Sequence, residues 1–123
     1  DVAHNPHAAR ALAANLASMP ARGRIFAVFA MLKDKDIGGV VDAIKPHIAV
    51  WFVACAGGPR GASAAELAAQ LAGAGVGVPV MQFNEVADAW RAACDSATDN
   101  DKIVVFGSFL TVAAVMRERQ RKT

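Results

Sequence analysis

The chain has 123 residues, a hydrophobic content of 54% and a formal net charge of +2 at pH 7. The apolar content excludes a disordered polypeptide and suffices for one compact domain, and the nearly balanced charge argues against a nucleic-acid-binding module. The longest apolar runs, residues 25–32 and 48–56, are far shorter than the roughly 18 residues that a membrane span needs.

Short apolar runs alternate with longer helical patterns along the chain. Asn5 and Pro6 suit the N-cap and the first position of a helix, Ser63 and Glu66 have the spacing of a capping box, and Asn84 is expected to cap a later helix. In chain order the pattern predicts a helix over residues 7–19, a strand over 24–31, a helix over 37–45, a strand over 48–54, a helix over 63–72, a strand over 78–82, a helix over 84–97, a strand over 102–106 and a last helix from residue 108.

Several apolar side chains are expected in the core. Trp51 and Trp90 lie on apolar faces, and Cys55 and Cys94 are isolated in apolar stretches, which is typical of buried thiols in a reducing compartment rather than of a disulfide framework. We therefore expect a cytoplasmic protein. The side chains of the last helix that are expected to face inward are Val112, Ala113, Val115 and Met116.

The alternation of strands and helices predicts an α/β fold. Short connections favour right-handed crossovers and a mostly parallel sheet with helices on both faces, and ligands of such sheets bind along the carboxyl edge. The first helix has no strand before it and the chain begins without Met, so we expect Asp1 to follow a fifth strand within a longer protein. The loops expected along the carboxyl edge are residues 1–5, 32–36, 56–61 and 107–109.

Asp1 and His4 open the chain just before the predicted helix start at Asn5 and Pro6. Asp1 could accept hydrogen bonds from a ribose diol or an ammonium group, or it could be a frayed terminus. His4 could contact phosphate, stack on a ring or transfer a proton, or it could be tied to the backbone near the helix start. His4 and His7 form H-x-x-H, but no third ligand is evident, so no metal site is predicted here.

The other loops along this edge carry charged or polar groups with two readings each. Lys33 and Lys35 could reach an anion or be solvated, whereas Asp36 is expected to cap the next helix. Arg60, in a Gly-Gly-Pro-Arg-Gly loop, could grip a carboxylate or belong to a tight turn. Ser108 could cap its own helix. The chain has no G-x-G-x-x-G fingerprint and no G-x-x-x-x-G-K-[ST] phosphate loop, so it has no self-sufficient nucleotide cradle.

Five segments in this order resemble one family. They are DVAHNPHAA, MLKDKD, GGPRGAS, VADAW and VFGSFLTVA, and together they resemble the C-terminal domain of the bacterial bifunctional dihydrofolate synthase/folylpolyglutamate synthase family, within the Mur ligase superfamily. The resemblance covers nearly all 123 residues. It implies a Rossmann-like three-layer sandwich of the Mur ligase C-terminal type. The missing N-terminal ATPase domain would carry the phosphate loop and most of the Mg²⁺ ligands.

The resemblance also implies an activity and a set of residues. In the family, ATP phosphorylates a carboxylate of dihydropteroate or of a tetrahydrofolate polyglutamate, and the amine of L-glutamate then attacks the acyl phosphate. By this resemblance Asp1 and His4 are expected to be the catalytic pair, facing ATP and glutamate, and Ser108 a glutamate contact. Lys35, Asp36 and Arg60 match ATP- or glutamate-binding loops of the family. Leu110 stands where the family often has histidine.

Two other classes of protein stay open on the residues alone. One is the C-terminal domain of a Mur peptidoglycan ligase, which adds an amino acid to a UDP-sugar peptide. The other is a non-catalytic binding module of the flavodoxin or receiver type, for which the charges of residues 33–36 are a poor match. If the chain is the C-terminal domain of such a folate ligase, we expect the whole enzyme to be a monomer and the isolated domain to be inactive.

Overall fold

Four strands and the helices between them are defined in the computed structural model, which describes residues 5–18, 23–107, 111–113, 115, 116 and 119. The elements are α1 (Pro6–Ser18), β1 (Ile25–Phe29), α2 (Ile37–Ile44), a 3₁₀ turn (Lys45–His47), β2 (Val50–Ala54), α3 (Ala64–Gly73), β3 (Val80–Phe83), α4 (Val86–Ser96) and β4 (Lys102–Phe106). The described residues from 111 onward are also helical.

The strands form one parallel sheet in the order β3-β2-β1-β4. Alternate residues of β1 point to opposite faces, so Ala27 and Phe29 pack with α1, α2 and α3, whereas Phe26 and Val28 pack with α4 and Val115. Helices therefore cover both faces of the sheet, and the predicted α/β architecture is confirmed. In the described part of the chain, no helix is long and apolar enough to cross a membrane.

The helix starts follow the predicted capping signals with one exception. The Asn5 Oδ1 accepts a hydrogen bond from the Ala8 amide at 2.8 Å, and the Ser63–Glu66 capping box is present at the start of α3. The assignment of Asn84 as a cap is wrong. The strand β3 continues to Phe83, and the helix α4 then begins after Glu85, without a side-chain cap.

The element bounds differ from the predicted ones where local geometry overrides the apolar pattern. The predicted strand over residues 48–54 begins only at Val50, because Pro46 lies in the 3₁₀ turn before it. In the last helix Val115 is buried, but Met116 is 56% exposed, so its predicted inward position is wrong. Successive helical residues are about 100° apart around the axis, which turns Met116 away from the face that buries Val115.

Aromatic side chains fill the face of the sheet that α1, α2 and α3 cover. Trp51 is fully buried, and its ring centroid lies 5.5 Å from that of Phe29 and 6.0 Å from that of Phe106. Trp90 is only half-buried, beside the other face, so the prediction of a core residue is confirmed fully for Trp51 and in part for Trp90. Cys55 and Cys94 are half-buried thiols, less enclosed than predicted.

Asp101 fastens the turn before β4 to the start of β1. Its carboxylate accepts hydrogen bonds from the Arg24 amide at 2.9 Å and from the Thr98 amide at 2.9 Å. The side chain is 4% exposed and also forms an ion pair with Arg24 at 3.1 Å. The backbone hydrogen bonds from Thr98 and Arg24 hold the pKa of Asp101 well below its ordinary value of 3.8.

We expect the Asp101→Asn variant to lower the midpoint of urea unfolding at pH 7. A carboxyl group with a lowered pKa stabilises the fold above its unfolded-state value, and this contribution is lost as the pH falls below about 3.8 toward the folded-state pKa. The difference in midpoint between wild type and variant should therefore shrink between about pH 7 and pH 3. An equal difference at both values would show that the charge of Asp101 is not what stabilises the turn.

Candidate functional site

The carboxyl ends of the four parallel strands meet at one edge of the sheet. The loops that leave this edge are residues 30–36 after β1, residues 55–63 after β2 and the turn that starts at Gly107 after β4. We call these segments the rim. Ligands of open α/β sheets bind at such an edge, because strand ends and helix starts converge there.

The first two rim loops are joined through their main chains. The Lys33 amide donates to the Arg60 carbonyl at 2.7 Å, and the Ala62 amide donates to the Met31 carbonyl at 2.9 Å. These two hydrogen bonds flank an isolated antiparallel bridge between Leu32 and Gly61. The loops after β1 and β2 therefore form one continuous surface rather than two independent turns.

An ion pair adds a side-chain connection between the same loops. The Arg60 Nη2 donates to the Asp34 Oδ2 at 2.6 Å, and this hydrogen bond is the main cause that holds the pKa of Asp34 below its ordinary value. The charge of Lys35 lowers the pKa of Asp34 as well. Arg60 and Lys35 were predicted site residues, whereas Asp34 was not, because its only signal in the sequence is its place in the charged run.

Asp36 closes the first rim loop at its other end. Its Oδ1 accepts a hydrogen bond from the Gly39 amide at 3.0 Å, so the expected role as the cap of α2 is confirmed. A Cβ atom added at Gly39 would lie 2.7 Å from the Pro6 Cγ. The start of α1 therefore lies beside the start of α2, at the same edge of the sheet.

Three of the predicted site residues, Asp1, His4 and Ser108, lie outside the described residues. Pro6, the second residue after His4 in the chain, lies next to Gly39 in the first turn of α2, which directly follows the rim loop of residues 30–36. Gly107, which precedes Ser108, also lies at the rim, because it directly follows Phe106, the last residue in the ladder between β4 and β1. The structure thus brings Lys35, Asp36 and Arg60 to one edge of the sheet, together with the described neighbours of the other three.

The turn after β4 packs directly against the loop after β1. Gly107 has a φ of +117°, and a Cβ atom there would lie 2.0 Å from the Ala30 carbonyl oxygen. The same oxygen accepts a hydrogen bond from the buried Thr111 Oγ1 at 3.1 Å. Thr111 was not among the predicted site residues, and no motif in the sequence indicates its contact with Ala30.

A groove of about 540 Å³ opens beside the rim, at the ends of β2 and β3. Its polar and apolar lining includes Cys55, Ser63, Gln82, Phe83, Asn84 and Asp88. No group of three or more His, Cys, Asp or Glu residues that could hold a metal ion is found within the described ranges.

Comparison with known proteins gives the class to which this fold and rim belong. Residues 1–109 match the family described as "Mur ligase, glutamate ligase domain", and the chain belongs to this family. The resemblance inferred from the sequence motifs is therefore confirmed.

Two relatives of this chain share one description. The chain is 44% identical over 116 residues, 94% of its length, to the dihydrofolate synthase/folylpolyglutamate synthase of Escherichia coli strain K12. It is 42% identical over 115 residues to the protein of the same description from Haemophilus influenzae. The chain matches the C-terminal part of these relatives and spans 26% of the length of each.

Solved structures agree with the sequence comparisons. One is E. coli FolC in complex with DHPP and ADP, which has a TM-score of 0.91 at 42% identity and covers 99% of this chain and 28% of the other. Another is the bifunctional folylpolyglutamate synthase/dihydrofolate synthase with Mn, AMPPNP and L-glutamate bound, which has a TM-score of 0.87 at 45% identity and covers 98% of this chain and 28% of the other.

Proposed function

We propose that this chain is the C-terminal domain of an ATP-dependent ligase that adds L-glutamate to dihydropteroate, to tetrahydrofolate polyglutamates, or to both. The observation that carries the proposal is the 44% identity to the E. coli dihydrofolate synthase/folylpolyglutamate synthase over 94% of this chain. The rim supports it, since three loops that the motifs single out converge on one edge of the sheet.

The proposed reaction has two steps. A carboxylate oxygen of the folate substrate attacks the terminal phosphorus of ATP, which forms an acyl phosphate and releases ADP. The glutamate amine then attacks the acyl carbon, the C–O bond to phosphate breaks, and the amide and inorganic phosphate are formed as the amine loses a proton. Acyl phosphates hydrolyse, so the rim must close against a second domain that excludes water until glutamate arrives.

We assign the residues of this chain to the second step and to nucleotide contacts. Asp1 binds the ribose or places the incoming amine, His4 faces the ribose-phosphate or the glutamate, and Ser108 contacts the glutamate. Lys35 supplies positive charge for anionic groups at the rim, Arg60 belongs to the same ATP- or glutamate-binding edge, and Asp36 fixes the loop that carries Lys35. This arrangement is supported by the position of Lys35, Asp36 and Arg60 on the ligand-binding edge.

The partner implied by this proposal is an N-terminal ATPase domain of the same polypeptide. That domain would supply the phosphate loop, which this sequence does not contain, and most contacts to Mg²⁺, which neutralises phosphate charge during transfer. The enzyme would act as a cytoplasmic monomer without a nucleic-acid or membrane partner. The isolated positions of Cys55 and Cys94 in apolar stretches of the sequence support a reducing compartment.

The test uses the full-length parent enzyme with alanine at Asp1 or His4. We expect each substitution to lower kcat/KM for glutamate addition at least about ten-fold, because each removes a group that contacts the reacting components. His7→Ala is the matched control, since His7 is an exposed histidine three positions further along the chain and should keep wild-type kinetics. Assays with dihydropteroate and with a UDP-muramoyl peptide identify the acceptor.

The same assay separates the domain from the whole enzyme. We expect the purified 123-residue chain to release no phosphate from ATP, because it lacks a phosphate loop. Wild-type kinetics in both alanine variants of the parent would contradict the assigned residue roles. Ligation of the UDP-muramoyl peptide but not of dihydropteroate would contradict the proposed folate substrate.

A further inference from the structure

The segment of residues 33–36 is held at both ends by bonds to other parts of the rim. At its start the Lys33 amide donates to the Arg60 carbonyl at 2.7 Å. At its end the Asp36 carboxylate accepts a hydrogen bond from the Gly39 amide at 3.0 Å. Asp34 and Lys35 lie between these two attachments, in a turn in which the Lys35 amide donates to the Leu32 carbonyl at 3.3 Å and the Lys35 carbonyl accepts from the Ile37 amide at 2.9 Å. The placement of this turn decides where the ammonium group of Lys35 is presented.

The ion pair between Asp34 and Arg60 restrains the turn that contains Asp34 and Lys35. It joins side chains that are 56% and 65% exposed, and pairs this exposed contribute at most about 1 kcal/mol to stability. Stabilisation of the fold is therefore a weak explanation for it. The loop that carries Arg60 also contains Gly57 and Gly58, both with positive φ. Glycine leaves the backbone conformationally free, so contacts with other parts of the rim are needed to hold this loop in one conformation.

The charges at the rim distinguish Lys35 from Arg60. The guanidinium of Arg60 is engaged by the Asp34 carboxylate, which is ionised at neutral pH like any ordinary aspartate. Lys35 is exposed, and among the described residues it forms no salt bridge. An anion that arrives at this part of the rim therefore meets Lys35 as a cation without a salt bridge among the described residues, and Arg60 as one that is already paired.

We propose that Asp34 and Arg60 are positioning residues, which hold the segment of residues 33–36 so that Lys35 faces an anionic group of a substrate. The group is a carboxylate of glutamate or a phosphate of ATP, which share the same charge chemistry. This inference rests on the proposed ligase function. It differs from the family-based expectation for Arg60, because Arg60 acts through Asp34 instead of touching the substrate.

The experiment compares four variants of the full-length parent enzyme: Asp34→Asn, Arg60→Gln, the reversed pair Asp34→Arg with Arg60→Asp, and Asp42→Asn as control. Asp42 forms an exposed ion pair with Lys45 within one turn, at 3.2 Å. We expect each single rim variant to raise KM for glutamate or for ATP about three- to ten-fold with kcat within about two-fold of wild type. The substrate whose KM rises identifies the anion.

The reversed pair is the decisive variant, because it restores the attraction but removes the guanidinium from position 60. We expect its KM to return to within about three-fold of wild type, while the control variant stays at wild type. If the reversed pair does not recover the wild-type KM while Asp34→Asn keeps it, then Arg60 contacts the substrate directly and the proposal is overturned. Wild-type KM in all variants would overturn it too.

Amide hydrogen exchange of the same variants gives a readout that does not depend on ligation. Loss of the pair should speed exchange in the peptide that contains residues 33–36, and the reversed pair should slow it again. Unchanged exchange in the single variants would overturn the positioning role. If wild type fails to ligate glutamate while exchange responds as expected, the proposed function is wrong but the pair still positions the loop.

Discussion

Replacing Gly107 with alanine is expected to lower the free energy of unfolding by roughly 2 to 6 kcal/mol. A residue with a side chain at φ +117° is strained by about 1 to 3 kcal/mol. The new Cβ would also lie 2.0 Å from the Ala30 carbonyl oxygen, and overpacking at a main-chain atom adds roughly 1 to 3 kcal/mol. Neither cost can be relieved by rotating a neighbouring side chain, since Ala30 contributes its backbone.

Urea unfolding of wild type and variant measures this loss. The matched control is Gly73→Ala at the end of α3, where a Cβ would meet nothing within 4 Å. This control should stabilise the protein by up to about 1 kcal/mol, because alanine is the better helix former. A cost below about 1 kcal/mol for Gly107→Ala would mean that the turn after β4 does not approach Ala30 as described.

Replacing Trp51 with alanine is expected to cost about 3 to 5 kcal/mol. Trp51 is 0% exposed and packs against Phe29 and Phe106, so truncation leaves a large cavity between β2 and the helices that cover it. Trp90→Ala is the matched control. Trp90 is half-buried, so neighbouring side chains and water can fill the space, and we expect its loss to be smaller than that of Trp51.

A third tryptophan variant separates the ring from its polar atom. The Trp51 Nε1 is buried without a hydrogen-bond partner among the described residues, which is an uncompensated cost of folding. Trp51→Phe removes this donor and keeps most of the apolar contact, so it should cost less than half as much as Trp51→Ala. Equal losses of stability in Trp51→Phe and Trp51→Ala, measured by urea unfolding, would contradict this account of Trp51.

The fold could be predicted from the sequence where local signals and tertiary packing agree. Apolar runs such as residues 50–54 predict buried strands, and Asn5, Asp36 and Ser63 begin helices because their side chains bond to free amides. The bounds were less predictable. Asn84 has the chemistry of a cap, but the parallel pairing of β3 with β2 carries the strand to Phe83 and delays the helix.

The contacts within the rim could not be predicted, because they join residues far apart in the sequence. The Asp34–Arg60 pair spans 26 positions and the Thr111–Ala30 hydrogen bond spans 81. No periodicity or motif encodes such distances, which depend on how two loops leave neighbouring strands. The sequence could indicate that Arg60 and Lys35 lie at the same edge, but it could not indicate which of the two cations is already paired.

The main-chain bonds between the first two rim loops have a consequence for how this surface can evolve. The Lys33–Arg60 and Ala62–Met31 bonds use only amides and carbonyls, so most exchanges of side chain leave them intact. Gly61 is the exception, since a Cβ there would lie 3.0 Å from the Cys55 Sγ. The side chains along this edge can therefore change during evolution to suit a different acceptor or amino acid, while the main-chain framework that carries them stays the same.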